Sequence, residues 1–103
     1  MAELVPLIRV RGETTSTTAN VTSSATVVTL QSANPLRRFW TCYNLSDKDL
    51  YLKWGSNAAL TDFSVIIPPN GYYEMPLPVF TGIITGISLS GPTGKIYVNE
   101  LTE

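Results

Sequence analysis

Turn-forming residues interrupt this sequence so often that no stretch remains for an amphipathic helix. Glycine, proline and asparagine break the chain about every ten residues, and short runs of alternating apolar and polar residues lie between the breaks. An alternation with period two places successive side chains on opposite faces of a β-strand. The pattern predicts an all-β fold, an antiparallel β-sandwich or barrel-like domain with an extended N-terminal arm.

The clearest alternation lies between residues 36 and 54. A run from Leu36 to Leu45 carries aromatic side chains on both faces, and a second run from Leu50 to Trp54 follows the turn residues 46–49. The two runs predict an antiparallel hairpin. Further strands are predicted at residues 25–30, 63–67, 72–75, 83–89 and 95–101, and the prolines after Met75 limit that strand to a sheet edge.

The length of 103 residues suits one domain, and we place it at residues 19–103 after an arm at residues 1–18. The arm begins with alternating apolar residues around Pro6, which cannot donate a ladder hydrogen bond. The Ser/Thr-rich stretch from Glu13 to Asn20 is expected to be mobile on its own. The arm has too many apolar residues for a solvated tail, so we expect docking on a neighbour by strand addition. The residues expected to dock are Leu4, Val5, Leu7, Ile8 and Val10.

Composition argues against several classes of partner. The formal net charge is -1 and the basic residues form no stripe, which disfavours nucleic acid. No apolar run is long enough to span a membrane, and the N-terminus lacks the pattern of a signal peptide. Charged residues make up 15% of the chain, well below the usual share, which favours a surface covered by partners. The single Cys42 sits among aromatic residues and predicts a buried, inert thiol made in a reducing cytoplasm.

The residue inventory offers little chemistry. The chain has no histidine and one cysteine, which removes the commonest general base and any zinc site built from cysteines. Its carboxylates are scattered, and Asp47 and Asp49 lie in a turn without the ligand spacing of a calcium loop. We therefore predict that the protein is not an enzyme and binds no cofactor or metal.

Large aromatic side chains leave two interpretations open. Trp54 and Tyr51 could stack on sugar rings or anchor a protein interface. The alternative is a structural role, in which Trp40 and Trp54 fill the core of a small sandwich. The pattern does not decide which face of the strand from Leu36 to Leu45 is buried, and a strand that is apolar on both faces could lie between a core and a partner subunit.

The stretch from Asn44 to Glu103 resembles a recurrent type of small virion protein of tailed phages. An asparagine leads into the LYLKWG run, TDFSVII follows, and a tyrosine pair comes after the proline/glycine turn in PPNGYYEMPLPVFTGIITGI. The resemblance ends with the short acidic strand KIYVNELTE. It covers roughly the last sixty residues, and its motifs are packing and turn motifs.

The resemblance implies a capsid decoration, or cement, protein. Such a protein would sit as a homotrimer on the outer capsid surface of the virion, bind the major capsid protein and stabilise contacts between its subunits, after synthesis in the host bacterial cytoplasm. The alternatives are another virion component (a head fibre base, neck or tail protein) or a carbohydrate- or receptor-binding β-module. Besides the five arm residues, the expected interface residues are Trp40, Tyr51, Trp54, Tyr72, Tyr73, Met75 and Phe80.

Overall fold

The computed structural model describes residues 14–103, and these residues form eight β-strands and no helix. The strands are β1 Thr15–Thr22, β2 Val28–Gln31, β3 Arg37–Ser46, β4 Leu50–Trp54, β5 Val65–Ile67, β6 Tyr72–Glu74, β7 Ile84–Ser88 and β8 Gly94–Thr102. They make two antiparallel sheets: sheet A has the order β1-β8-β3-β6, and sheet B has the order β2-β7-β4-β5. The prediction of an antiparallel β-sandwich is confirmed. The five arm residues expected to dock on a neighbour lie outside the described residues.

The core lies between the sheets and follows from the alternation within each strand. In β3, Trp40 and Cys42 are fully buried, whereas Thr41 between them is half-buried and Tyr43 after them is exposed. Sheet B contributes Leu30 and Leu50, which approach each other over Gly86. A Cβ at Gly86 would lie 2.9 Å from a methyl carbon of Leu30 and 3.0 Å from one of Leu50, so a larger residue there would force these two side chains to shift.

The predicted hairpin between residues 36 and 54 is wrong. The two runs do form β3 and β4, but β3 belongs to sheet A and β4 to sheet B, so residues 47–49 cross between the sheets. An arch and a hairpin need the same alternation and the same turn residues, and local sequence therefore does not separate them. Among the eight described strands, β4 and β5 are the one pair of consecutive strands that share a ladder.

Residues 15–20, which were expected to be mobile on their own, belong to a strand that has a partner. Residues 15–22 form β1, which pairs with β8 in an unbroken antiparallel register from Thr15 opposite Thr102 to Thr22 opposite Lys95. Threonine favours extended backbone, and the long partner strand supplies the ladder that the segment cannot form alone. β1 therefore extends across residue 18, where the boundary between the arm and the domain was expected. The other predicted strands overlap β2 and β5 to β8.

A buried arginine ties one end of β3 to three other parts of the chain. The Nε of Arg37 donates to a Glu100 carboxylate oxygen at 2.7 Å, and its side chain is fully buried. Its Nη1 donates to the carbonyls of Phe80 and Gly82, and its Nη2 donates to the carbonyl of Ser32. The guanidinium thus satisfies carbonyls in the β2–β3 and β6–β7 connections as well as a carboxylate of β8.

At the other end of β3, Asn44 also binds backbone groups of neighbouring connections. The side-chain nitrogen of Asn44 donates to the carbonyls of Lys48 and Ile67, each at 2.8 Å. Its side-chain oxygen accepts from the backbone and the hydroxyl of Ser46. The Asn44 backbone also pairs with Asn70 and Gly71. This residue therefore fixes both the β3–β4 crossing and the β5–β6 crossing.

We predict that Glu100→Gln lowers the free energy of unfolding by about 3 kcal/mol, because it leaves the buried Arg37 charge without a counter-charge. Urea denaturation monitored by tryptophan fluorescence measures this change. Asp62→Asn is the matched control, because it breaks the Lys53–Asp62 pair, in which the aspartate side chain is 61% exposed. That variant should lose less than about 1 kcal/mol. Equal losses in the two variants would contradict the role assigned to the buried pair.

Candidate interaction faces

The outer face of sheet A carries a row of three tyrosines. Tyr72 of β6 lies opposite Tyr43 of β3, and Tyr43 lies opposite Tyr97 of β8. The ring centroids of Tyr43 and Tyr72 are 4.7 Å apart, and the two residues are 43% and 49% exposed. Cross-strand pairs of this kind stabilise a sheet, and tyrosine offers rigid contact area to a partner.

The rows on either side of the tyrosines are mostly uncharged. One row holds Glu74, Thr41, Asn99 and Thr18, and the other holds Leu45 beside Lys95. Leu45 is 52% exposed. Partial desolvation and the nearby carboxylate of Glu74, which accepts a hydrogen bond from Tyr72, raise the pKa of Tyr72 above its ordinary value near 10. This face combines aromatic contact area with hydrogen-bonding groups.

The outer face of sheet B is more aliphatic. Ile66 of β5 and Ile87 of β7 flank Tyr51 of β4 in one cross-strand row. Phe63 packs edge-on against Tyr51, with ring centroids 4.9 Å apart. Phe63 and Ile66 remain 40% and 42% exposed, and Leu60 of the neighbouring loop is 46% exposed. Solvated faces of antiparallel sheets are normally polar, so this row is unusual for a face that water covers.

The loop of residues 55–64 is held against sheet B by a buried threonine. The hydroxyl of Thr85 donates to the Gly55 carbonyl at 2.6 Å and accepts from the Ala58 amide at 3.1 Å. Lys53 and Asp62 add an ion pair at 2.6 Å. These contacts fix the loop that presents Leu60 and Phe63 beside the aliphatic row.

Tyr51 and Trp54, which the sequence offered as a possible sugar-binding pair, lie on different sides of β4. Tyr51 points to the outer face of sheet B, whereas Trp54 follows the alternation of the buried Leu50 and Leu52. The indole N–H of Trp54 donates to the Tyr73 hydroxyl at 3.0 Å, and Trp54 is 39% exposed. The two rings therefore do not form one platform for a sugar.

Two residues expected at an interface lie in the core instead. Trp40 is fully buried, with its indole N–H bonded to Gln31, and it packs edge-on against Tyr73. Met75 is 2% exposed and belongs to the same core cluster. Phe80 is partly buried and packs against that cluster. Trp40 follows the inward alternation of β3. Met75 and Phe80 lie in the β6–β7 connection and pack against the core from there. Of the adjacent Tyr72 and Tyr73, Tyr72 is exposed and Tyr73 is partly buried.

Sequence reasoning missed four residues that complete these faces: the exposed Tyr43, Phe63 and Ile66, and the half-buried Tyr97. The signal for Tyr43 was present, because it alternates with Trp40 and Cys42, but the burial of either face was left undecided. Tyr97 joins the row through the β3–β8 pairing, which places it opposite Tyr43, a residue more than fifty positions earlier in the chain. A local pattern carries no information on such pairing.

Asp47, one of the carboxylates weighed for chemistry, is held in its turn by a hydrogen bond. Asp47 accepts a hydrogen bond from the Thr93 amide at 2.7 Å, which lowers the pKa of its carboxyl below the ordinary value. No three histidine, cysteine, aspartate or glutamate side chains among residues 14–103 lie close enough to hold a metal ion. The same residues form no pocket. Within the described part of the chain there is also no helix able to cross a membrane.

Comparisons of the chain with family models, with curated proteins and with solved structures find no match.

Cys42 is buried between the sheets as predicted, and burial raises its pKa from 9.0 to about 12. We predict that a thiol reagent at pH 8 labels the native protein far more slowly than the unfolded protein, because the thiolate is the reactive form. A folded-state pKa above the unfolded value also means that the thiol favours folding below pH 9, and this contribution is lost as the pH rises towards 12.

The measurements are labelling rates and unfolding free energies as a function of pH. Cys42→Ala is the control, because it removes the titrating group and should show a smaller decline above pH 9. Rapid labelling of the native protein, or identical pH profiles for the two proteins, would refute the assignment.

Proposed function

We propose that this chain is a capsid decoration protein of a tailed phage. In this proposal it assembles as a homotrimer on the outer surface of the virion, binds the major capsid protein and stabilises contacts between capsid subunits. The mechanism is mechanical: apolar area buried across a subunit boundary contributes about 25 cal/mol per Å2 and opposes separation of the subunits. Many identical copies on one shell multiply a modest contact.

One observation carries the proposal: both outer faces of the sandwich expose apolar and aromatic rows. The face of sheet A is centred on Tyr43, and that of sheet B on Ile66. A small monomer rarely exposes several large side chains in contiguous rows unless a partner covers them. The resemblance of residues 44–103 to small phage virion proteins then favours a capsid as the partner.

The composition of the two faces suggests how they are used. Permanent interfaces between identical subunits are the more hydrophobic kind, whereas interfaces between proteins that also exist apart are more polar and rich in tyrosine. We therefore assign the aliphatic face of sheet B to contacts between copies. The tyrosine face of sheet A is assigned to the capsid surface.

A second candidate function is glycan binding at the tyrosine row. Its support is the adjacency of Tyr43 and Tyr72 to a polar row that contains Thr41 and Asn99. Aromatic rings beside hydrogen-bonding side chains suit the apolar faces and hydroxyl rims of sugars. Binding to a glycan array that is lost in Tyr43→Ser would favour this module over a capsid protein.

One substitution on each face tests the capsid proposal. Ile66→Ser should convert the trimer to monomers in sedimentation experiments, because it removes apolar area at the centre of the contact between copies. Tyr43→Ser should leave the trimer intact and lower the affinity for capsids at least tenfold, a loss of about 1.4 kcal/mol. Occupancy is measured by titrating each protein onto undecorated capsids.

Leu77→Ser is the matched control, since Leu77 is 71% exposed in the β6–β7 connection and belongs to neither row. It should change neither trimer formation nor occupancy. Full occupancy by Tyr43→Ser would refute the role of the tyrosine face. No binding of the wild-type protein to capsids would refute the decoration function itself.

A further inference from the structure

Two tyrosine rings are in direct contact on the outer face of sheet A. The planes of the Tyr43 and Tyr72 rings are inclined by 43°, and both residues are exposed. All five tyrosines of the chain lie among the described residues, and no other two of them have their rings in contact. These two phenols are therefore placed where they can react with each other.

The strand pairing explains why the ring of Tyr43 meets Tyr72 and not Tyr97. The Asn44 amide donates to the Gly71 carbonyl, so the backbone of Asn44 bonds on the side of β6. Backbone groups of a strand alternate between its two neighbours, and the backbone of Tyr43 therefore bonds on the side of β8. Tyr43 and Tyr72 are then a pair without backbone hydrogen bonds, the kind that brings side chains closer together. Tyr43 and Tyr97 form the hydrogen-bonded kind of pair, in which side chains are farther apart.

A carboxylate lies beside one of the two phenols. The hydroxyl of Tyr72 donates to a Glu74 carboxylate oxygen at 3.2 Å. Removing an electron from a phenol makes its proton strongly acidic, so a base within hydrogen-bonding distance lets the electron and the proton leave together. This contact favours Tyr72 as the first of the two phenols to be oxidised.

We propose that Tyr43 and Tyr72 form an oxidative cross-linking site, which one-electron oxidants convert to a dityrosine bond. Each phenol loses one electron to the oxidant and one proton, which passes from Tyr72 to Glu74 and from Tyr43 to water. The two phenoxyl radicals join through a carbon ortho to each hydroxyl, and the two ortho hydrogens then move to the oxygens to restore the phenols. The proposal goes beyond capsid attachment and holds whether or not the protein decorates a capsid.

The bond fastens β6 to the rest of sheet A. β6 has three residues, stands at one end of the sheet order, and pairs with β3 alone among the described strands. A cross-link between residues 43 and 72 also closes a loop that contains β4 and β5, which restricts the unfolded chain and so stabilises the fold. Oxidation at this pair therefore strengthens the sheet.

Photo-oxidation of the isolated protein tests the site. A ruthenium tris-bipyridyl complex under visible light supplies the one-electron oxidant, with persulfate as the final electron acceptor that is reduced to sulfate. Dityrosine fluorescence should appear in the monomeric band of a denaturing gel. Peptide mass spectrometry should join the peptides of Tyr43 and Tyr72 with the loss of two hydrogen atoms. The cross-linked protein should also unfold at a higher urea concentration than the untreated protein.

Two phenylalanine variants locate the bond. Tyr72→Phe removes one phenol and retains the ring, so the cross-link within one chain should be lost. Tyr97→Phe removes the other neighbour of Tyr43 and should leave the yield unchanged. A bond from Tyr43 to Tyr97, a bond that survives Tyr72→Phe, or dityrosine found only between chains would overturn the proposal, as would an absence of dityrosine.

Glu74→Gln tests the proton acceptor. The amide has a similar shape but is a far weaker base, so the initial rate of coupling should fall about tenfold. Acetate, a soluble carboxylate base, should restore part of that rate, which a purely structural effect of the substitution would not allow. An unchanged rate in Glu74→Gln, or no response to acetate, would contradict the role given to Glu74.

Discussion

Chain crossings between two sheets leave carbonyl oxygens inside the molecule, and each one buried without a partner would cost about 1–3 kcal/mol. Several such losses together would be a large share of the stability of a small domain. Side chains at both ends of β3 donate hydrogen bonds to such carbonyls. Arg37 binds carbonyls of two connections and the Glu100 carboxylate, and Asn44 binds carbonyls at two more crossings. The apolar core between the sheets thus forms without leaving these carbonyls unpaired.

The same arrangement leaves the outer faces free for association. Polar groups inside the molecule hold the connections together, and the outer sides of the sheets carry large side chains that remain exposed. Exposed residues such as Tyr43 and Ile66 then add contact area that the core does not need. In the proposed assembly, the core side of the strands supplies the main packing and the outer side supplies the contacts with partners. A substitution on an outer face would then change association while the fold survives.

Local sequence predicted the fold class but not the pairing of the strands. The alternation around Trp40 and Cys42 is a property of the strand itself, and it correctly indicated β3. The partner of β3 is set by the rest of the chain, so the expected hairpin with β4 was wrong. The tyrosine face was missed for the same reason: it depends on Tyr97, which meets Tyr43 only across a ladder of distant residues. The role of Arg37 had no signal in the sequence, because an arginine usually indicates a solvated side chain.

The central position of β8 in sheet A has a consequence for how the protein is made. β8 lies between β1 and β3, yet the ribosome produces it after all the other described strands. Until it emerges, β1 and β3 have no common partner, and the edges that they present are open to other chains. Formation of sheet A must therefore wait for the end of this segment, and the late closing of long loops makes such folding slow. A holding chaperone, or simply a low concentration of nascent chains, would protect the protein during this interval.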